Sequence, residues 1–269
     1  MSWINNLFHT ERPIIGLLHL RALPGDPFFP PCGTIDEVIE AAKADLIALQ
    51  EGGVDGVLIT NEFSLPYEKK VSPVTIASIA MVVGALRELF TVPYGVEAIY
   101  DGDATIEVCA ATGASFTRCM FTGAWAGDLG IIDRDVARTL RLKRALGLHD
   151  LRLFYFVTSE GEVYLNDRTV TEITQSLVFN CRPDCLVVGG SAAGQNPGAQ
   201  MLRDVAAVAK GTPVVCGTGC KESNVEEILE AGNGAFVGTT FKMEGKFENP
   251  VDVERVRAFM KRVHEFRKD

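Results

Sequence analysis

The sequence predicts a (β/α)8 barrel, the TIM-barrel architecture, with a phosphate-binding corner after its seventh and eighth strands. Three observations predict it. Eight short apolar runs alternate with amphipathic stretches, the pattern of parallel strands joined by helices. The chain has 269 residues, and such a barrel typically takes ~250. The last two apolar runs, Val214-Val215-Cys216 and Ala235-Phe236-Val237, both end in Gly-Thr turns, Gly217-Thr218-Gly219 and Gly238-Thr239-Thr240. Glycine lets peptide N–H groups approach phosphate oxygens closely, and a helix N-terminus nearby adds positive potential. The same glycines also suit tight turns with no ligand.

The elements follow in order. Trp3, Ile4, Leu7 and Phe8 share one face of a short capping helix within residues 1–12. PIIGLLHL (13–20) is the first strand, with His19 near its C-terminal end. A Pro/Gly-rich loop (21–33) precedes a helix marked by Ile35, Val38, Ile39, Ala42, Leu46 and Leu49 and stopped by Gly52-Gly53. The second strand is 56–60 and the next helix runs over 75–90. The third strand (94–98) carries Glu97. Asp101 and Asp103 then start a helix over 104–112. The fourth strand (115–120) carries Arg118 and leads through the loop FTGAWAGDLG to a helix over 134–146. The fifth strand is 152–157, and a helix over 169–179 follows. The sixth (185–188) ends in Gly189-Gly190-Ser191-Ala192-Ala193-Gly194, before a helix over 199–209. Ser223-Asn224-Val225-Glu226 is a capping-box pattern for the helix after the seventh strand. Val253, Val256, Phe259, Met260, Val263 and Phe266 stripe the last helix. Residues 1–269 thus read as a single barrel domain. An open doubly wound sheet is the alternative, weakened because the first strand–helix turn lacks G-x-G-x-x-G.

Bulk properties narrow the function. Net charge is −9 and no long basic run occurs, which argues against nucleic acid or an anionic membrane as partner. No apolar run reaches the ~18–20 residues of a membrane span. The opening MSWINNLFHTERP lacks the basic and apolar regions of a signal peptide, so a cytoplasmic protein is expected. The seven cysteines read as reduced thiols, and the pairs Cys181/Cys185 and Cys216/Cys220 lack zinc-finger spacing.

Chemistry in this fold belongs at the C-terminal ends of the strands. The candidate catalytic residues there are His19, Glu62, Glu97 and Arg118. His19 suits general acid–base work because its ordinary pKa is ~6.5; a hydrogen-bonded core histidine is the alternative. Glu62 is a second acid–base candidate or a solvated loop carboxylate. Glu97 and Arg118 lie on neighbouring strands and can pair, either to meet substrate or only to hold the rim. Candidate ligand-binding residues are Asn61, Gly189, Gly190, Gly217, Gly219, Gly238 and Thr239. Thr158 also stands at a strand end. The ends of the fifth and sixth strands carry no lysine, which disfavours a Schiff-base aldolase. Lys221 and Lys242 are placed for phosphate contact instead. No H-x-H or His cluster suggests zinc, no cofactor is evident, and carboxylate-held Mg or Mn stays open.

HLRALPGDP (19–27), ALQEGGVDGVLITNEFSLPY (48–67), FTGAWAGDLG (121–130) and VGTTFKMEGKFENPVD (237–252) resemble the BtpA/SgcQ family over residues 14–267, closer to its SgcQ branch. The resemblance implies a phosphate-binding barrel and no particular reaction. Two departures stand out. FYFVTSEGEVYLNDR (154–168) lacks the Asp and Lys-His pair common in the BtpA branch, and Glu97 stands where the family usually has Asn. A carboxylate there changes both charge and donor capacity. Two functions follow as expectations. One is an enzyme acting on a small phosphorylated ligand, a sugar phosphate or nucleotide-like molecule, with a homo-oligomer compatible with this reading. The other is a non-enzymatic assembly or regulatory protein, as the family's photosystem I name suggests.

Overall fold

The computed structural model describes residues 2–190 and 196–268. The Ser191 to Gly194 part of the sixth turn therefore lies outside the described residues. Eight parallel strands close into a barrel: β1 (Ile14–His19), β2 (Gly56–Thr60), β3 (Tyr94–Glu97), β4 (Phe116–Cys119), β7 (Arg152–Thr158), β9 (Cys185–Val188), β10 (Val214–Cys216) and β11 (Ala235–Val237). The intervening β5 (Ala124–Gly127), β6 (Gly130–Asp133) and β8 (Glu162–Tyr164) form a separate small sheet. Closure of the barrel comes from β1 pairing with β11, Ile14 opposite Ala235 and Gly16 opposite Val237. All six residues of β1 are buried, as expected for a parallel strand covered on both faces.

The helices form where the sequence supplies caps. In α2 (Ile35–Glu51) the Thr34 hydroxyl accepts from the Glu37 N–H, and the Glu37 carboxylate accepts from the Thr34 N–H. Thr169 and Glu172 repeat this box at α6 (Val170–Asn180). Asp101 caps α4 (Gly102–Thr112) by accepting from the Ala104 N–H. The first helix, α1 (Trp3–Phe8), closes the bottom of the barrel. Its Phe8 meets Phe116 edge-on, and Trp3 meets Phe154 in the same way. The outer core lies between the barrel and α2, α3 (Pro73–Leu86), α4, α7 (Ala199–Val208), α8 (Val225–Ala231) and α9 (Val253–Phe266). α5 (Val136–Ala145) lies between β6 and β7.

Two expectations need correction. The FTGAWAGDLG loop is not irregular. It contains β5, which pairs antiparallel with both β6 and β8. The pleat hides Trp125, Ile132 and Tyr164 on one face and leaves Ile131 and Val163 exposed on the other. The alternation is short and Gly-rich, so it carries little periodic signal. The Ser223 capping box also does not form. Asn224 is the N-cap of α8 and its side chain makes no cap bond. It is used in the preceding turn, accepting from the Lys221 N–H and donating to the Gly219 carbonyl.

Barrel closure at the bottom depends on missing side chains. A Cβ on Gly95 would sit 2.6 Å from the Phe116 carbonyl oxygen and 2.7 Å from its ring. Backbone cannot yield cheaply there, and overpacking of this kind costs about 1–3 kcal/mol. Gly95→Ala should therefore lower the urea midpoint by that amount of stability with an unchanged m-value. An unaltered midpoint would contradict the packing account.

Candidate active site at the barrel mouth

A cavity of about 970 Å³ opens at the C-terminal ends of the strands. His19, Glu62, Glu97 and Arg118 all line it, as do Gly217, Gly219, Gly238 and Thr239. Asn61 does not: it is buried, and its amide oxygen accepts from the Ile99 N–H, tying the end of β2 to the loop after β3. Gly189 and Gly190 are buried and are also absent from the cavity lining. The Gly189 carbonyl instead accepts from the Thr158 hydroxyl at 2.8 Å.

Arg118 stands at the centre. It extends from β4, and its Nε donates to Glu97 Oε2 at 2.9 Å on the neighbouring strand. Its Nη1 donates to the Gly217 carbonyl at the end of β10, across the barrel. The guanidinium also lies over the rings of Phe236 and Phe156. Burial opposes its charge, but Glu97, with Glu62 and Glu160, more than offsets this, so Arg118 stays charged. Three carboxylates surround this cation on the cavity wall: Glu62, Glu97 and Glu160. Burial pushes Glu97 up to about 7, against the pull of Arg118. Glu62 is raised by burial too, with Arg118 opposing, and Glu160 by burial with a Thr218 hydrogen bond opposing.

His19 is held well below its ordinary 6.5, first by burial and then by Lys242 and Arg118. It is therefore neutral, and its 3.8 Å approach to Glu62 is not an ion pair. Neither ring nitrogen has a hydrogen-bond partner although the residue is only 7% exposed. Its ring explains one glycine directly. A Cβ on Gly238 would lie 2.9 Å from His19 Cε1. Gly217 is likewise a packing glycine, since its Cβ would lie 2.7 Å from Val187.

The corner differs in detail from expectation. The Gly217 N–H already donates to the Val188 carbonyl, so it is not available to an anion. Among the described residues, the N–H groups of Gly219, Cys220, Gly238, Thr239 and Thr240 have no partner. The Thr240 hydroxyl donates to the Cys220 carbonyl and so joins the two turns. Lys221 lines the cavity. Lys242 does not: it is 2% exposed, and its Nζ donates to the Phe247 carbonyl between the Phe63 and Phe247 rings. Its side chain fixes a loop, a job that strand-end position alone does not reveal. Among the described residues, no group of three His, Cys, Asp or Glu side chains is drawn together to hold a metal ion, and no helix is long and apolar enough to cross a membrane.

Sequence reasoning missed Glu160, Tyr67 and Tyr100, which also line the cavity. Glu160 lies two residues past the end of β7, the position that should have flagged it. Tyr100 has φ +65, and its hydroxyl donates to Glu162 of the small sheet at 2.6 Å. No local pattern announces that contact.

The model of the BtpA family matches residues 10–265. The chain belongs to the BtpA family. It is 42% identical to the sgc region protein SgcQ of Escherichia coli K12, with both chains covered in full. It is 30% identical to the photosystem I biogenesis protein BtpA of Synechocystis, covering 96% of this chain and 90% of that one. Among solved structures, one described as native KDPGal matches with a TM-score of 0.60 at 17% identity, covering both chains in full, and shares the fold.

The raised Glu97 makes a pH prediction. A carboxyl raised above its ordinary 4.5 adds stability that is present below that value and lost as pH rises through about 7. A tenfold change in proton affinity corresponds to ~1.4 kcal/mol, so the wild type should lose roughly 3 kcal/mol from this group between about pH 4.5 and 8. Glu97→Gln keeps an oxygen for Arg118 Nε and should show a shallower decline in chemical denaturation. Parallel declines would show that Glu97 does not titrate in this window.

Proposed function

We propose that the protein is an enzyme acting on a small phosphorylated ligand, of sugar-phosphate or nucleotide type, at the barrel mouth. The observation that carries this reading is the set of five unpartnered N–H groups, Gly219, Cys220, Gly238, Thr239 and Thr240, on the wall of one cavity. Peptide donors arranged together at strand ends offer a phosphate several hydrogen bonds without a bulky cation. Beside them stand groups suited to moving protons. Neutral His19 can accept or donate, and Glu97, pushed up to about 7, can do either near neutral pH. Arg118 would meet negative charge that develops on the ligand.

A non-enzymatic assembly or regulatory role is the second reading. It draws on the exposed Ile131, Val163 and Leu165 along the small sheet, since grouped exposed apolar residues suit protein contacts.

Calorimetry separates the two. Wild type should bind inorganic phosphate, sugar phosphates or nucleotides at millimolar concentration or below. Thr239→Glu places a negative charge at the corner and should weaken that binding at least ~10-fold, an effect of ~1.4 kcal/mol, with an unchanged circular dichroism spectrum. No binding of any phosphorylated compound by wild type would overturn the enzyme reading and favour the assembly role.

A further inference from the structure

The cavity wall beyond the phosphate corner has an unusual hydrogen-bond inventory. Glu97 uses Oε2 for Arg118, and its Oε1 accepts nothing among the described residues. Glu62 uses Oε2 for the Thr60 hydroxyl at 3.2 Å. Its Oε1 makes no hydrogen bond of ordinary length: the neighbouring Tyr67 hydroxyl lies close to the carboxylate but donates to the Glu62 main-chain carbonyl at 2.9 Å. On the donor side, Arg118 Nη2 has no partner, since Nε and Nη1 make the two bonds already described. The His19 ring nitrogens also lack partners, but both are covered by their neighbours and offer the cavity no surface. Glu62, Glu97 and Arg118 all line the cavity, so unused carboxylate acceptors and an unused guanidinium donor belong to the same wall.

We propose that the ligand's non-phosphate part is a polyhydroxylated carbon chain or ring, which makes the ligand a sugar phosphate; this rests on the phosphate reading above. A hydroxyl both donates and accepts. It can give its proton to Glu62 Oε1 or Glu97 Oε1 while accepting from Arg118 Nη2. Unmade hydrogen bonds at buried groups are costly, so a ligand that completes them gains both affinity and selectivity.

Two other classes, phosphorylated amines and nucleotides, fit less well. A phosphorylated amine only donates, so it would leave Arg118 Nη2 without an acceptor. A nucleobase needs a free aromatic or apolar face for stacking. The Phe156 and Phe236 rings already carry the Arg118 guanidinium, at 5.5 and 4.8 Å from their centroids. Phe247 is packed against Phe63 at 4.6 Å and His19 at 5.7 Å, and Tyr67 and Tyr100 meet each other edge to face at 5.4 Å.

The test is calorimetry with matched probes: ribose 5-phosphate and glucose 6-phosphate as polyols, butyl phosphate as the hydroxyl-free control, phosphoethanolamine as the amine, AMP as the nucleotide, and inorganic phosphate. At least one sugar phosphate should bind at least ~10-fold more tightly than butyl phosphate, a difference of ~1.4 kcal/mol. Glu97→Gln and Glu62→Leu should each lower sugar-phosphate affinity by a larger factor than butyl phosphate affinity. Circular dichroism reports folding, and Glu62→Gln serves as a further variant if either of these fails to fold. Equal affinity for sugar phosphates and butyl phosphate overturns the polyol inference and leaves the phosphate reading standing. So does tighter binding of AMP or phosphoethanolamine than of either sugar phosphate. If no probe binds, inorganic phosphate included, both fall.

Discussion

The mouth of this barrel depends on keeping one buried guanidinium satisfied. A charge removed from water is costly unless it is paired and hydrogen-bonded. Arg118 meets that demand by reaching in two directions, to Glu97 on the adjacent strand and to the Gly217 carbonyl across the barrel. These bonds link the consecutive strands β3 and β4 to the end of β10, 99 residues further along the chain. They also settle what remains for a ligand. The Gly217 carbonyl is occupied by Arg118 and its N–H by Val188, so the partnerless donors begin only at Gly219.

The same economy governs the loops. The small antiparallel sheet formed by β5, β6 and β8 is tied to the site, because Glu162 accepts from both the Tyr100 and Ser159 hydroxyls, and both residues line the cavity. Arg134, which follows β6, donates to the Tyr100 carbonyl and holds the same residue from the other side. Tyr100 keeps its left-handed backbone between these contacts, a conformation that costs a non-glycine residue free energy. The sheet therefore positions one wall of the cavity, while the Gly-Thr turns form another.

Legibility in the sequence followed the range of the interactions. The eight barrel strands were readable because each is a short run of mostly buried residues, and β2 and β9 match the predicted limits. The Glu97–Arg118 pair was readable because both stand at the ends of consecutive strands. What was hidden depends on contacts between distant residues. Asn224 looks like part of a capping box but is consumed by Gly219 and Lys221. Lys242 looks like a phosphate ligand but is enclosed by Phe63 and Phe247. Gly238 reads as a phosphate-binding glycine, and the structure adds a different reason for it: the His19 ring leaves no space for a Cβ. One residue type thus serves packing and ligand access together, and a single sequence cannot separate the two.

The claim that everything else leans on is that the two Gly-Thr turns receive an anion through their backbone. The most direct measurement is an amide-resolved NMR titration of the ¹⁵N-labelled protein with inorganic phosphate. Saturable shifts should concentrate at the amides of Gly219, Cys220, Gly238, Thr239 and Thr240, with the Gly217 amide, already bonded to Val188, moving less. Saturable shifts centred elsewhere, or none at this corner at any phosphate concentration, would contradict it.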